Sequence, residues 1–220
     1  MKITVESLCI GQSDDITVCF ELAHGDNICK EKFVISAEAY ARLGLRKGES
    51  EQSVYDSVEK EAKVYSAFKK GTYVLGFGAC SKNQLVSKLR SKGFDLSVAN
   101  EAVERISLRG FLDENENAKR EAERCCAKLW GESRIRAKLF EKRYCKDAVE
   151  QAMFFLEDSG VDFDANCKLF IDKHYRDIPR ESKELQKLVA AVCRQGYSVS
   201  QVKSACLLLT KERKISRIFE

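Results

Sequence analysis

The chain has 220 residues, 44% hydrophobic and 33% charged, with a formal net charge of +4. It holds no apolar run near the ~18 residues a membrane helix needs, and its two histidines have no motif partners nearby. One proline and twelve glycines interrupt few segments, so the composition favours a mainly helical protein with a charged surface.

The first residues, MKITVESLCIG, are interrupted by Glu6 and lack a signal peptide's apolar core, which predicts a cytoplasmic protein. Ile3 to Val5, Ile16 to Phe20 and Ile28 to Ile35 are β-branched and aromatic runs. They are separated by Gly11-Gln12-Ser13-Asp14-Asp15 and His24-Gly25-Asp26-Asn27, the residue types that turns require. A three-strand meander is predicted. It is too small to be stable without a helix against it, and Ala37 to Leu43 is the candidate. Cys9, Cys19, Cys29 and His24 are the nearest approach to a ligand set. However, the ten cysteines include no C-x-x-C, and the strand pattern predicts small buried side chains instead. No metal or cofactor is expected, and free thiols suit a reducing compartment.

Glu51 to Lys70 is predicted as one long helix, followed by the glycine-punctuated TYVLGFGA, which is not a phosphate-binding loop. Ser81 with Gln84 and Ser198 with Gln201 have the spacing of capping boxes. Helices are predicted over Lys82–Lys92 and Ser97–Leu108, with Gly93 suited to a left-handed helix end and Asp95 to a cap. Asp113 opens a further helix running to Trp130, which Gly131 breaks. A third unit begins near Asp164, and Pro179 suits the first turn of its next helix. The basic tail TKERKISRIFE is expected to fray.

These helices repeat. Ile135, Leu139, Tyr144, Val149, Ala152, Met153 and Leu156 fall at the spacing of a buried helical stripe. A shift of fifty positions back places Leu85, Leu89, Phe94, Ala99, Ala102, Val103 and Ile106 in the same order. A shift of fifty-three forward does so for Leu188, Val192, Tyr197, Val202, Ala205, Cys206 and Leu209. A period of this size marks stacked helical units. The expectation is three tandem helical units that bury their apolar faces on one another. Residues 1–50 form a β-rich extension, 51–112, 113–160 and 161–210 the repeats, and 211–220 a basic tail.

Charge is unevenly placed. Ala118 to Lys146 holds ten basic residues against four acidic ones, and Asp147 to Cys167 holds six acids and no Lys or Arg. Such a dipolar layout steers a charged partner, although i, i+4 neutralisation on a solvated face explains it equally well.

Ser81-x-x-Gln84-Leu85-x-x-Lys88-Leu89-x-x-Lys92-Gly93-Phe94 resembles the first repeat of the RecX family, regulators of the RecA recombinase. Gly110-Phe111-Leu112-Asp113 is similar to that family's link to its second repeat. Trp130-Gly131-x-x-Arg134-Ile135-x-x-Lys138-Leu139-x-x-Lys142 resembles its most characteristic segment. Arg143 and Tyr144 stand where the family usually carries Gly-Ile. The likeness runs from about Glu61 to Leu209. It implies three tandem three-helix repeats in an elongated curved array, and an inhibitor of the RecA filament on single-stranded DNA that lowers recombinase, ATPase and co-protease output; a monomer without enzymatic activity is expected. Basic residues would meet the filament's acidic surfaces and phosphates: Arg134, Arg136, Lys138, Lys142 and Arg143, with Lys88, Arg90 and Lys92 as the equivalent row in the preceding unit. The alternative is direct DNA binding in the manner of a helix-turn-helix, with Arg134 to Arg143 entering a groove. A helical-repeat adaptor without nucleic acid is the third.

Overall fold

The computed structural model describes residues 2–11, 15–25, 27–179 and 181–216, and among them it contains four strands and ten helices. β1 (Lys2–Ile10), β2 (Asp15–His24) and β3 (Asn27–Ser36) form the expected antiparallel meander. A fourth strand, β4 (Gly48–Ser50), adds to the other edge of β1, so the sheet order is β3-β2-β1-β4. β4 is only three residues long, two of them Gly and Ser, and carries no apolar alternation that a sequence reading could detect.

Alternate strand residues point to one face. Ile3 and Val5, then Ile16, Val18 and Phe20, then Ile35 are buried there. Helix α1 (Ala37–Leu43) covers part of that face through Ala39, its N-terminus capped by Ser36 Oγ accepting from Ala39 N at 3.1 Å. Helix α2 (Gln52–Leu75) covers more, through Val54, Tyr55, Val58 and Ala62. The expectation that Cys9, Cys19 and Cys29 are all buried is corrected: Cys19 is buried, but Cys9 and Cys29 are exposed. Cys29 lies on β3, the edge strand, towards the end where the register carries it past the helical cover.

α2 runs five residues beyond its predicted end, because Gly71 is packed rather than free. A Cβ there would lie 2.5 Å from Ile106 Cδ1. The helix thus serves two cores. Its first half packs on the sheet. Its second half, through Val64, Ala67, Phe68, Val74 and Leu75, joins α3 (Lys82–Arg90) and α4 (Leu96–Leu108) around Leu85, Leu89, Ala99, Ala102, Val103 and Ile106. Midway, Glu61 is 5% exposed and accepts from Arg42 of α1 at 2.7 Å and from Arg105 of α4. A carboxylate placed between two apolar cores needs two guanidinium groups to offset its lost hydration.

The chain divides into two compact units, Met1–Leu112 and Asp113–Glu220. The second contains two helix triplets. α5 (Glu114–Cys126), α6 (Glu132–Glu141) and α7 (Lys146–Asp158) enclose Ile135, Leu139, Tyr144, Val149, Ala152, Met153 and Leu156. α8 (Phe163–His174), α9 (Ser182–Cys193) and α10 (Val199–Ser216) enclose Leu188, Val192, Tyr197, Val202, Ala205, Cys206 and Leu209. All twenty-one positions of the sequence register therefore lie in three separate cores, seven to each.

The local signals mostly hold. Ser81 Oγ accepts from Gln84 N at 3.1 Å, and Ser198 with Gln201 closes a reciprocal box at 3.2 and 2.9 Å. Asp113 caps α5 through Glu116 N, at 2.9 Å. Two expectations are corrected. Pro179 precedes α9 by three residues and stands outside its first turn, the N-cap being Glu181. The tail does not fray at Thr210, since α10 continues to Ser216 with Arg213 holding Asp172 at 2.7 Å; residues 217–220 lie outside the described residues.

Candidate partner-binding surface

Arg134 is not presented as a loose surface cation. Its guanidinium carbon lies 3.9 Å from the centroid of the Trp130 ring, and the group donates to Gln195 Oε1. Around it, Gly131 N donates to Gln195 O at 2.8 Å, Ser133 Oγ to Gly196 O at 2.9 Å, and Tyr197 Oη to Leu129 O at 2.8 Å. Trp130 packs partly on the core of its own triplet. The Trp-Gly-x-x-Arg run is thus the joint between the α5–α7 and α8–α10 triplets, with Trp130 holding the Arg134 guanidinium that reaches across it.

The other cations of α6 are also engaged within the chain. Arg136 Nε meets Glu132 at 2.8 Å and its Nη1 meets Glu150 at 2.9 Å. The hydrogen bond donated to Glu132 is the largest cause raising an already high guanidinium pKa, with burial opposing it and Glu150 adding to it. Lys138 Nζ lies 2.9 Å from Glu141, and Lys142 Nζ 2.7 Å from Glu121, which is 12% exposed. Arg143 is exposed, with φ 58. Neutralisation of a solvated face is what the structure shows for Arg136, Lys138 and Lys142.

The row in the first unit differs. Lys88 and Lys92 correspond to Lys138 and Lys142 by the shift of fifty. Together with Arg90 they are exposed, and none of the three makes an ion pair among the described residues. The reason is compositional. From Ala62 to Phe94 the chain carries seven Lys or Arg and no Asp or Glu. Sequence reasoning that counted charge only in the second repeat passes over this stretch, and a running charge window would have found it.

No group of three or more His, Cys, Asp or Glu among the described residues is placed to hold a metal ion. Of the vicinal pair, Cys125 is buried and Cys126 half-buried, each thiol pushed up chiefly by burial. Among the described residues, no helix is long and apolar enough to cross a membrane.

These features define a mainly α-helical protein of packed helix triplets with an N-terminal four-stranded antiparallel sheet. That is the fold of RecX. The crystal structure of regulatory protein RecX matches with a TM-score of 0.68 at 15% identity, covering 92% of this chain and 99% of that one. The crystal structure of RecX from Lactobacillus salivarius matches with a TM-score of 0.56 at 13% identity, covering 67% of this chain and 97% of that one. No family model matches the sequence, and no curated protein matches it.

Proposed function

We propose that this chain is a RecX-like regulator that binds the RecA filament on single-stranded DNA and lowers its recombinase, ATPase and co-protease activities. The observation that carries the reading is the fold likeness over 92% of this chain and 99% of a RecX chain. On this reading the protein works in the cytoplasm as a monomer, without a cofactor, in DNA repair and recombination. Its repeats run over 51–112, 113–160 and 161–210.

The partner-facing residues are drawn from the cations named above. Lys88, Arg90 and Lys92 lead, because they bring charge that no carboxylate among the described residues already neutralises. Arg136, Lys138, Lys142 and Arg143 follow, since the first three must exchange an internal ion pair for an external one. Arg134 contributes by holding the joint. A helix-turn-helix reading fits less well, because its recognition helix would be α6, whose cations are already committed.

The test is the ATPase of a RecA–single-strand filament. Substoichiometric to equal amounts of the protein should lower it, and Lys88→Glu with Lys92→Glu should raise the concentration needed by about tenfold or more. An ATPase that does not respond to the wild-type protein overturns the reading.

A further inference from the structure

We propose that Tyr73 and Phe77, with Lys70, form a stacking site for the bases of a single-stranded nucleic acid. The inference goes beyond the reading above, because it stands on residues of the first unit alone and requires no RecA.

Spacing along α2 puts Lys63, Ser66, Lys70 and Tyr73 in one row, at i, i+3, i+7 and i+10, and Phe77 follows in the turn just past the helix end. Gly71 lies on the side pressed against Ile106, Leu85 and Leu89, whereas the row and Phe77 are exposed. Tyr73 is 61% exposed and Phe77 77% exposed, their ring centroids 4.9 Å apart and edge to face. The Lys70 ammonium stands 5.1 Å from the Tyr73 centroid. Two large rings held together in water, rather than in the core a few residues away, mark an interaction site.

The occupant follows from the surrounding charge. The row lies in the acid-free stretch from Ala62 to Phe94. Three of its seven cations are paired outside the stretch, Lys63 with Glu59, Lys69 with Asp15 and Lys82 with Glu104. Lys70, Lys88, Arg90 and Lys92 make no ion pair among the described residues. A ligand that suits both features has flat π faces and one negative charge per unit. Unpaired nucleotides have both, and a duplex hides its base faces. A protein partner would use the rings but would need acidic residues for the cations, and it is the competing outcome.

The measurement is fluorescence anisotropy of a labelled oligothymidylate against the full chain, without RecA. Wild type should bind, with a log–log salt slope of about −3 if four phosphates are met. Tyr73→Ala with Phe77→Ala should weaken binding by about tenfold or more without changing that slope. Lys88→Ala with Lys92→Ala should make the slope shallower, and Tyr73→Phe should retain affinity. Phe77→Trp should be quenched by the oligonucleotide, a signal that a purely structural ring would not give. Equal affinity of the double alanine variant overturns the site, as does its loss of binding to DNA-free RecA alone. If wild type slows the filament ATPase but ignores the oligonucleotide, the stacking site fails and the regulator reading stands. If it binds the oligonucleotide through these rings but leaves the ATPase unchanged, the reverse holds.

Discussion

Gly131 and Gly196 touch backbone to backbone. A Cβ on Gly131 would lie 2.3 Å from the carbonyl carbon of Gly196, and one on Gly196 would lie 2.5 Å from Arg134 N. Each is the only residue type that lets α6 meet the end of α9 at this distance. Gly131→Ala should therefore destabilise the second unit by about 2–3 kcal/mol, the range for overpacking that backbone cannot relieve. Urea denaturation followed by circular dichroism reads it, with the Cys145→Ala change at an exposed position as a control near zero.

Arg134 and Lys88 separate structure from contact. Arg134→Glu removes the stack on Trp130 and the bond to Gln195, so stability should fall by about 1–2 kcal/mol. The Lys88 side chain makes no ion pair among the described residues, so Lys88→Glu should stay within about 0.5 kcal/mol of wild type. Both variants, if they weaken the filament effect, would do so for different reasons, and the denaturation midpoint tells them apart.

Arg143 occupies a left-handed backbone position, φ 58, at the end of α6. Tyr144 N closes that end on Leu139 O at 3.2 Å, just as Phe94 N closes α3 on Leu89 O at 3.3 Å. The corresponding residues of the other triplets are Gly93 and Gly196, with φ 94 and 98. A side chain with a Cβ costs about 1 kcal/mol in this conformation. Arg143→Gly should raise stability by up to about that amount, seen as a higher urea midpoint. A drop would mean that its side chain contributes more than the backbone strain costs.

Glu61 makes the first unit sensitive to acid. Burial is the largest influence and raises its pKa, but Arg105 and then Arg42 together outweigh it, leaving the carboxyl below its ordinary 4.5. A carboxylate with a depressed folded pKa stabilises the fold above its unfolded pKa, and that contribution is lost as pH falls below 4.5 and through the folded value. Stability should therefore decline below that pH. Glu61→Gln should lose about 3 kcal/mol at neutral pH, because two arginines are left facing a neutral group, and should flatten the acid limb. Denaturation curves at a series of pH values check both.

The helical repeat was legible because its signal is local and redundant. Seven apolar positions at helical spacing recur with the same order, and burying them on one another is the main free-energy gain available to so short a unit. The same held for the caps at Ser81, Asp113 and Ser198, where donor and acceptor are three residues apart. β4 was not legible, since three residues without alternation owe their strand to the free edge of β1. The role of α2 as a shared wall was equally hidden, because its stripe serves the sheet in one half and α3 with α4 in the other.

Which cations are open to a partner was the least legible of all. By itself the sequence determined the helical class, the count and phase of the repeats and the meander, since these depend on periodicity along the chain. Only the tertiary structure decided that Arg134 belongs to a joint with Gln195, that Lys142 is held by Glu121, and that Lys88 and Lys92 make no ion pair among the described residues. The physical reason is range. Hydrophobic periodicity is written within one or two helical turns, whereas the pairing of a charge depends on which carboxylate the fold brings within about 4 Å.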